Sequence, residues 1–164
     1  MVRRQSEEID RTQEAYHKEA DMRIHDILRR KGHQVVTISS AHTVMDAVGV
    51  LVQHGIGALV VMKDDRVVGI FTERDILRLT ARNPGALASI TVGSAMTPRP
   101  VTATPDDDLY EVMDVMTERK IRHLPVIDGD RLVGIVSIGD VVNACRRGAE
   151  EENSHLRQYI QSAV

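Results

Sequence analysis

The sequence predicts a mixed α/β fold built from two copies of a strand-helix-strand-strand-helix unit, packed sheet to sheet about a pseudo-twofold axis and flanked by N- and C-terminal helices. Three observations carry this: an internal repeat, the patterning of apolar residues inside each copy, and a composition suited to aliphatic layers. Gly69 and Gly134 lie 65 residues apart, and the same offset relates Asp75 to Asp140, Arg66 to Arg131 and Thr37 to Thr102. The register runs without a gap from Val36 to Leu77 and includes Val50/Val115, Leu59/Leu124, Val61/Val126 and Ile70/Ile135. Two copies at that period make a duplicated pair of modules rather than a solenoid. Hydrophobic residues make up 42% of the 164, but aromatics only 2%, so Val, Ile, Leu, Ala and Met must fill the core.

Within the first copy, Val35 to Ile38 reads as a short strand. Val44, Ala47, Val48 and Leu51 then fall at i, i+3, i+4 and i+7, the stripe of an amphipathic helix, and Leu109, Val112, Met113 and Met116 repeat it. Ala58 to Met62 and Val67 to Phe71 are continuous apolar runs of the kind buried on both faces, joined through Asp64-Asp65. In the second copy the joint reads as Asp128-Gly129, a stronger hairpin signal. Thr72 and Ser137 precede helices starting at Glu73 and Ile138. One unit alone has too few apolar residues to cover its sheet, so two must share a core.

The remaining segments are organised around these copies. Residues 1–21 form a polar extension, read as a frayed helix or disordered tail. Residues 22–82 hold the first repeat with a lead-in helix from Met22 to Lys31, ending near Gly32. Residues 83–100, with Pro84, Gly85, Gly93, Pro98 and Pro100, suit a crossing connection. Residues 101–147 hold the second repeat and 148–164 a C-terminal helix.

Composition excludes several classes of function. A net charge of -3 gives no general attraction to nucleic acid or anionic lipid, so any anion site must be local. The apolar runs are too short to span a bilayer, and MVRRQSEEID lacks the apolar segment of a signal peptide, which predicts a cytosolic protein. Cys145 is the only cysteine and has no activating neighbour in sequence. The histidines lack metal-ligand spacing, and no phosphate loop or catalytic triad is visible, so neither a metal nor a catalytic residue is predicted.

The stretches "VVTISSAHTVMDAV", "IGALVVM", "RVVGIFTERDI", "SAMTPRPVTATPDDDLYEVMDVM" and "IRHLPVIDGDRLVGIVSIGDVV", with their shared spacing, resemble the CBS domain family in its tandem form, the Bateman module. The resemblance covers about residues 22–147 and is closest in size to small stand-alone bacterial CBS-pair proteins. It implies a non-catalytic module that binds adenosine-containing ligands in clefts between the repeats. AMP is the first expectation, with ATP, ADP, NAD(H) and S-adenosylmethionine as alternatives. It also implies a homodimer, and leaves open an unidentified protein target.

The family's Ser/Thr-x-x-Asp motif stands here as Thr72-Glu73-Arg74-Asp75 and Ser137-Ile138-Gly139-Asp140, so Arg74 and Ile138 fall inside it. A carboxylate accepts hydrogen bonds from vicinal ribose hydroxyls, and a helix N-terminus with a hydroxyl residue favours a phosphate. The same pattern is an ordinary helix cap, and the two roles are compatible. Arg122 and His123 precede the Leu124 to Ile127 strand where the family places phosphate-facing residues; arginine pairs bidentately with phosphate, and histidine gains charge near pH 6.5. Pro125 matches the family's usual proline, whose missing N–H leaves neighbouring backbone groups to read an adenine edge. The first repeat instead has Gly57, Ala58 and Val60, so the two clefts should differ. Thr37 and Thr102 match cleft-lining positions. A constitutive dimerisation or partner-docking unit with vestigial clefts is the alternative; an enzyme ranks below both.

Overall fold

The computed structural model describes residues 22–83 and 85–162. The expected polar extension at residues 1–21 lies outside the described residues. Among them the chain runs α1 (Ile24–Lys31), β1 (Thr37–Ser39), α2 (Val44–His54), β2 (Ala58–Lys63), β3 (Arg66–Thr72) and α3 (Glu73–Arg82). It continues with α4 (Val92–Ala95), β4 (Thr97–Pro98), α5 (Leu109–Glu118), β5 (His123–Asp128), β6 (Arg131–Ser137) and α6 (Ile138–Ser162). The mixed α/β class is as predicted. One sheet has the order β1-β2-β3-β4 and the other is the hairpin β5-β6. The helix expected after residue 148 is the continuation of α6, one unbroken helix from Ile138.

The chain divides into two compact units. One contains Gly32–Ala103 and His123–Ile135; the other contains, among the described residues, those up to Lys31, Thr104–Arg122 and those from Val136 on. In the first, β1 pairs parallel with β2, which pairs antiparallel with β3. Ile38, Val44, Ala47, Leu51, Leu59, Val61, Phe71 and Val92 form its core, so the helical stripe and the apolar runs meet as their periods demand. In the second unit α1 packs on α6 and α5 on α6, burying Ile24, Ile27, Leu28, Leu109, Val112, Met116 and Val141.

The repeat holds to the level of burial and caps. Val44, Ala47 and Leu51 are buried as are Leu109, Val112 and Met116, whereas Val48 and Met113 are both half-buried. Thr43 caps α2, exchanging bonds with Asp46: Asp46 N–H donates to Thr43 Oγ1 (3.1 Å) and Thr43 N–H to Asp46 Oδ2 (2.9 Å). Those Thr43 bonds hold the Asp46 carboxyl below its usual range. At the matching position Asp108 caps α5, accepting from Tyr110 N–H (2.8 Å) and Glu111 N–H (3.0 Å). The helix ends match too: Ile56 N–H donates to Leu51 O (3.1 Å) and Ile121 N–H to Met116 O (2.8 Å). The left-handed residue these ends require is Gly55 (φ 62°) in the first copy but Lys120 (φ 55°) in the second. A lysine Cβ is crowded there and glycine is not. Lys120→Gly is expected to raise stability by about 1 kcal/mol, measured as a shift of the urea midpoint at unchanged m-value.

Three local expectations need correction. The first strand of the second repeat is reduced to one parallel bridge, Ala103 with Val126. Ala103 N–H donates to Pro125 O (3.0 Å) and Ile127 N–H to Ala103 O (2.8 Å), but Pro125 has no N–H to extend that ladder toward Val101. The first-repeat strand is Thr37–Ser39 rather than Val35 to Ile38. The hairpin joint is Gly129-Asp130, not Asp128-Gly129, with Gly129 at φ 58° in the first central position, where a II′ turn favours glycine.

The segments leading into each repeat dock on the other one. Before the second repeat, β4 pairs with β3, and Met96 packs where a Cβ on Gly69 would stand. Val44 N–H donates to Ile90 O (2.9 Å) and Val92 N–H to His42 O (2.8 Å), stitching this segment to α2. Before the first repeat, Ile24 N–H donates to Asp107 O (3.1 Å) and Leu109 N–H to Met22 O (2.9 Å), stitching α1 to the start of α5.

Candidate functional site

Each Ser/Thr-x-x-Asp motif forms where a strand runs directly into a helix. Thr72 ends β3, and its N–H and Oγ1–H both donate to Asp75 Oδ2 (2.9 and 2.7 Å). Ser137 ends β6, and its N–H and Oγ–H both donate to Asp140 Oδ2 (each 2.8 Å). Asp140 N–H returns a bond to Ser137 Oγ (3.2 Å). The capping role is therefore formed in both copies, with each carboxylate fixed at a helix N-terminus where the dipole favours anions. Asp75 is buried and Asp140 half-buried. Arg78, one turn along, approaches Asp75 Oδ1 (3.7 Å).

The residue before each central strand is tied to its motif. Glu73 N–H donates to Gly57 O (3.1 Å), and at the matching positions Ile138 N–H donates to Arg122 O (2.9 Å). One backbone bond in each repeat thus fixes the strand entry against the helix start. The side chains differ between the copies. Gly57 carries none, and a Cβ built there would stand 3.3 Å from Glu73 Oε2 and 3.5 Å from His123 Cε1. The absent side chain lets a carboxylate and an imidazole converge on one glycine. Glu73 was not singled out from sequence because it occupies a variable position of the motif.

The other expected residues lie on several elements. Thr37 lies exposed on β1 opposite Val60, Thr102 is exposed beside the Ala103 bridge, and Arg74 is exposed in the first turn of α3. Ala58 and Pro125 are buried; Arg122 is exposed, and Ile138 half-buried.

A second residue missed in the sequence is Lys31, the last of α1. Its Nζ donates to Asp140 Oδ2 at 2.6 Å, a contact spanning 109 residues. Partial burial pushes the Asp140 pKa up, but the bonds from Lys31 and Ser137 outweigh it and hold the carboxyl below 3.8. A depressed folded-state pKa stabilises the fold above the unfolded value, and this contribution is lost as pH falls below it. Near neutral pH the carboxylate is charged.

These motifs and their spacing match a known family. A family model for the CBS domain matches residues 24–82 and 92–147. The chain belongs to the CBS domain family. Its fold is similar to a CBS-domain containing protein of Agrobacterium tumefaciens, with 41% identity, TM-score 0.72, and coverage of 75% of this chain and 98% of that one. It also resembles CBSX2, solved in complex with AMP, at 30% identity and TM-score 0.64 over 76% of this chain and 96% of that one. A third CBS domain pair, of protein MJ0100, was solved with 5′-methylthioadenosine and S-adenosyl-L-methionine; it is 30% identical, with TM-score 0.67 over 75% of this chain and 94% of that one.

Proposed function

We propose that this CBS pair is a non-catalytic regulatory module that binds adenosine-containing nucleotides at its two strand-to-helix motifs. AMP is the first choice, and ATP, ADP, NAD(H) and S-adenosylmethionine are the alternatives. The observation that carries the reading is the duplicated carboxylate, Asp75 and Asp140, each held at a helix N-terminus by its own Thr or Ser. Such a group accepts hydrogen bonds from both hydroxyls of a ribose, the part shared by the ligands of CBSX2 and MJ0100. Arg122 supplies the cationic partner for a phosphate, and His123, brought beside Gly57, a ring N–H donor. The first repeat has Gly57 and Ala58 in place of that basic pair, so its motif favours a less anionic ligand portion.

Signalling requires that ligand bind two arrangements of the chain with different affinity. The exposed side chains Met45 and Val52, seven residues apart on α2, and Leu77 on α3 suit self-association, and a homodimer is part of this proposal. Calorimetric titration of the full chain with AMP, ATP and NADH tests the reading. Saturation to about 100 times Kd is expected to add about 2.7 kcal/mol of stability, visible as a higher melting temperature. No heat and no melting shift with any of the three rejects it in favour of a constitutive assembly unit.

A further inference from the structure

We infer that Lys31 is an intramolecular competitor for Asp140: in the ligand-free chain its ammonium occupies the carboxylate, and a ligand that takes Asp140 with its ribose hydroxyls releases the end of α1. The inference rests on the nucleotide reading above and adds to it the element that moves.

The argument begins with one oxygen. Asp140 Oδ2 accepts from Ser137 N–H (2.8 Å), Ser137 Oγ–H (2.8 Å) and Lys31 Nζ (2.6 Å). Three donors crowd the two lone-pair directions of Oδ2, so a ribose hydroxyl that reaches this oxygen must displace one of them, and a pair of hydroxyls that takes both carboxylate oxygens meets Lys31. The two Ser137 bonds belong to the cap of α6, and losing them unravels a helix start. Lys31 comes from another element on a flexible four-carbon stem, and it is the donor that can leave at least cost. The side chains of Lys31 and Asp140 are 38% and 26% exposed, so the pair is reached by water. An ion pair this accessible is weak enough to be broken by a ligand.

Among the described residues, the device exists in the second repeat only. The residue 65 positions beyond Lys31 is Met96, an apolar side chain packed at Gly69. Asp75 is held by Thr72 and approached by Arg78, both near neighbours in sequence, so binding there moves no lead-in segment through its carboxylate. Ligand at the second motif therefore has an output that ligand at the first lacks. That output is α1, whose opposite end is stitched to the loop before α5 by His25 N–H to Pro105 O (2.8 Å).

The test is calorimetric titration of wild type, Lys31→Met and Lys31→Gln with adenosine and with AMP, at low and at high salt. Both variants are expected to bind adenosine about two- to fivefold tighter than wild type at low salt. The gap should close at about 1 M salt, where an accessible ion pair is screened. Hydrogen exchange at the amides of Arg29 to Lys31 should quicken on ligand addition in wild type and be fast from the outset in the variants. Weaker AMP binding with unchanged adenosine binding would make Lys31 a phosphate contact and overturn the inference, as would unchanged affinity for both. A wild type that binds neither ligand rejects the nucleotide reading itself, a result distinct from wild-type binding that Lys31 does not influence.

Discussion

Phe71→Ala is expected to lower the stability of this protein by about 3–5 kcal/mol, the largest loss from any single truncation in the sheet. Phe71 is the chain's one phenylalanine and is fully buried. It lies on β3 opposite Leu59 and closes the cluster formed with Ile38, Val44, Ala47, Leu51, Val61 and Val92. These neighbours are aliphatic and held by secondary structure on several sides, so they cannot collapse into the space that a lost ring leaves. With total stability of order 5–15 kcal/mol, the loss should move the thermal midpoint down by roughly 10 °C. Phe71→Leu retains most of the volume and should cost less than about 1.5 kcal/mol. Equal effects of the two variants, or an alanine cost under about 1 kcal/mol, would show that the ring does not hold this core together. The comparison site is Val136, the counterpart of Phe71 in the second repeat and also fully buried, where truncation removes fewer atoms and should cost less.

The fold was legible because its signals are local and occur twice. The helical stripes, the paired apolar strands and the strand-to-helix motifs all lie within one copy, and the offset of 65 residues confirms each by the other. Where an element depends on a partner far along the chain, the sequence was silent. Val101 to Thr104 has the same apolar and β-branched character as the first strand of repeat one, yet its ladder stops because the opposite residue is Pro125. Nothing in "MTPRPV" shows that Thr97 and Pro98 add to β3, nor in "IHDILRRK" that its helix docks at the start of α5. The site divides in the same way. Asp75 and Asp140 announce themselves through a motif, and Gly57 and Arg122 through their repeat register. Lys31 and Glu73 enter only when the chain is folded, since an exposed lysine and glutamate carry no pattern that sets them apart.

Asp140→Ala is expected to reduce nucleotide affinity at the second motif by about a hundredfold while lowering stability by only about 1 kcal/mol. The two effects have different origins. Removing the carboxylate takes away the acceptor for two ribose hydroxyls, and hydrogen bonds to a charged group contribute roughly 1.5–3 kcal/mol each. It also removes half of the cap of α6, a loss that any helix start would show, and the accessible Lys31 ion pair, worth at most about 1 kcal/mol. Three caps in this chain make the separation measurable, because Thr43/Asp46, Thr72/Asp75 and Ser137/Asp140 share the same pattern. In each, backbone N–H and side-chain hydroxyl both donate to Oδ2 of the aspartate, at 2.9 and 2.7 Å, 2.9 and 2.7 Å, and 2.8 and 2.8 Å. Asp46 starts α2 rather than a helix that follows a strand directly, and it is exposed. Asp46→Ala should therefore cost stability and leave affinity untouched. Titration and melting of both variants beside wild type decide the matter: if Asp140→Ala behaves like Asp46→Ala, the carboxylate of the second motif is a helix cap and nothing more. If it loses affinity out of proportion to stability, the same cap geometry has acquired a ligand because of where the strand delivers it.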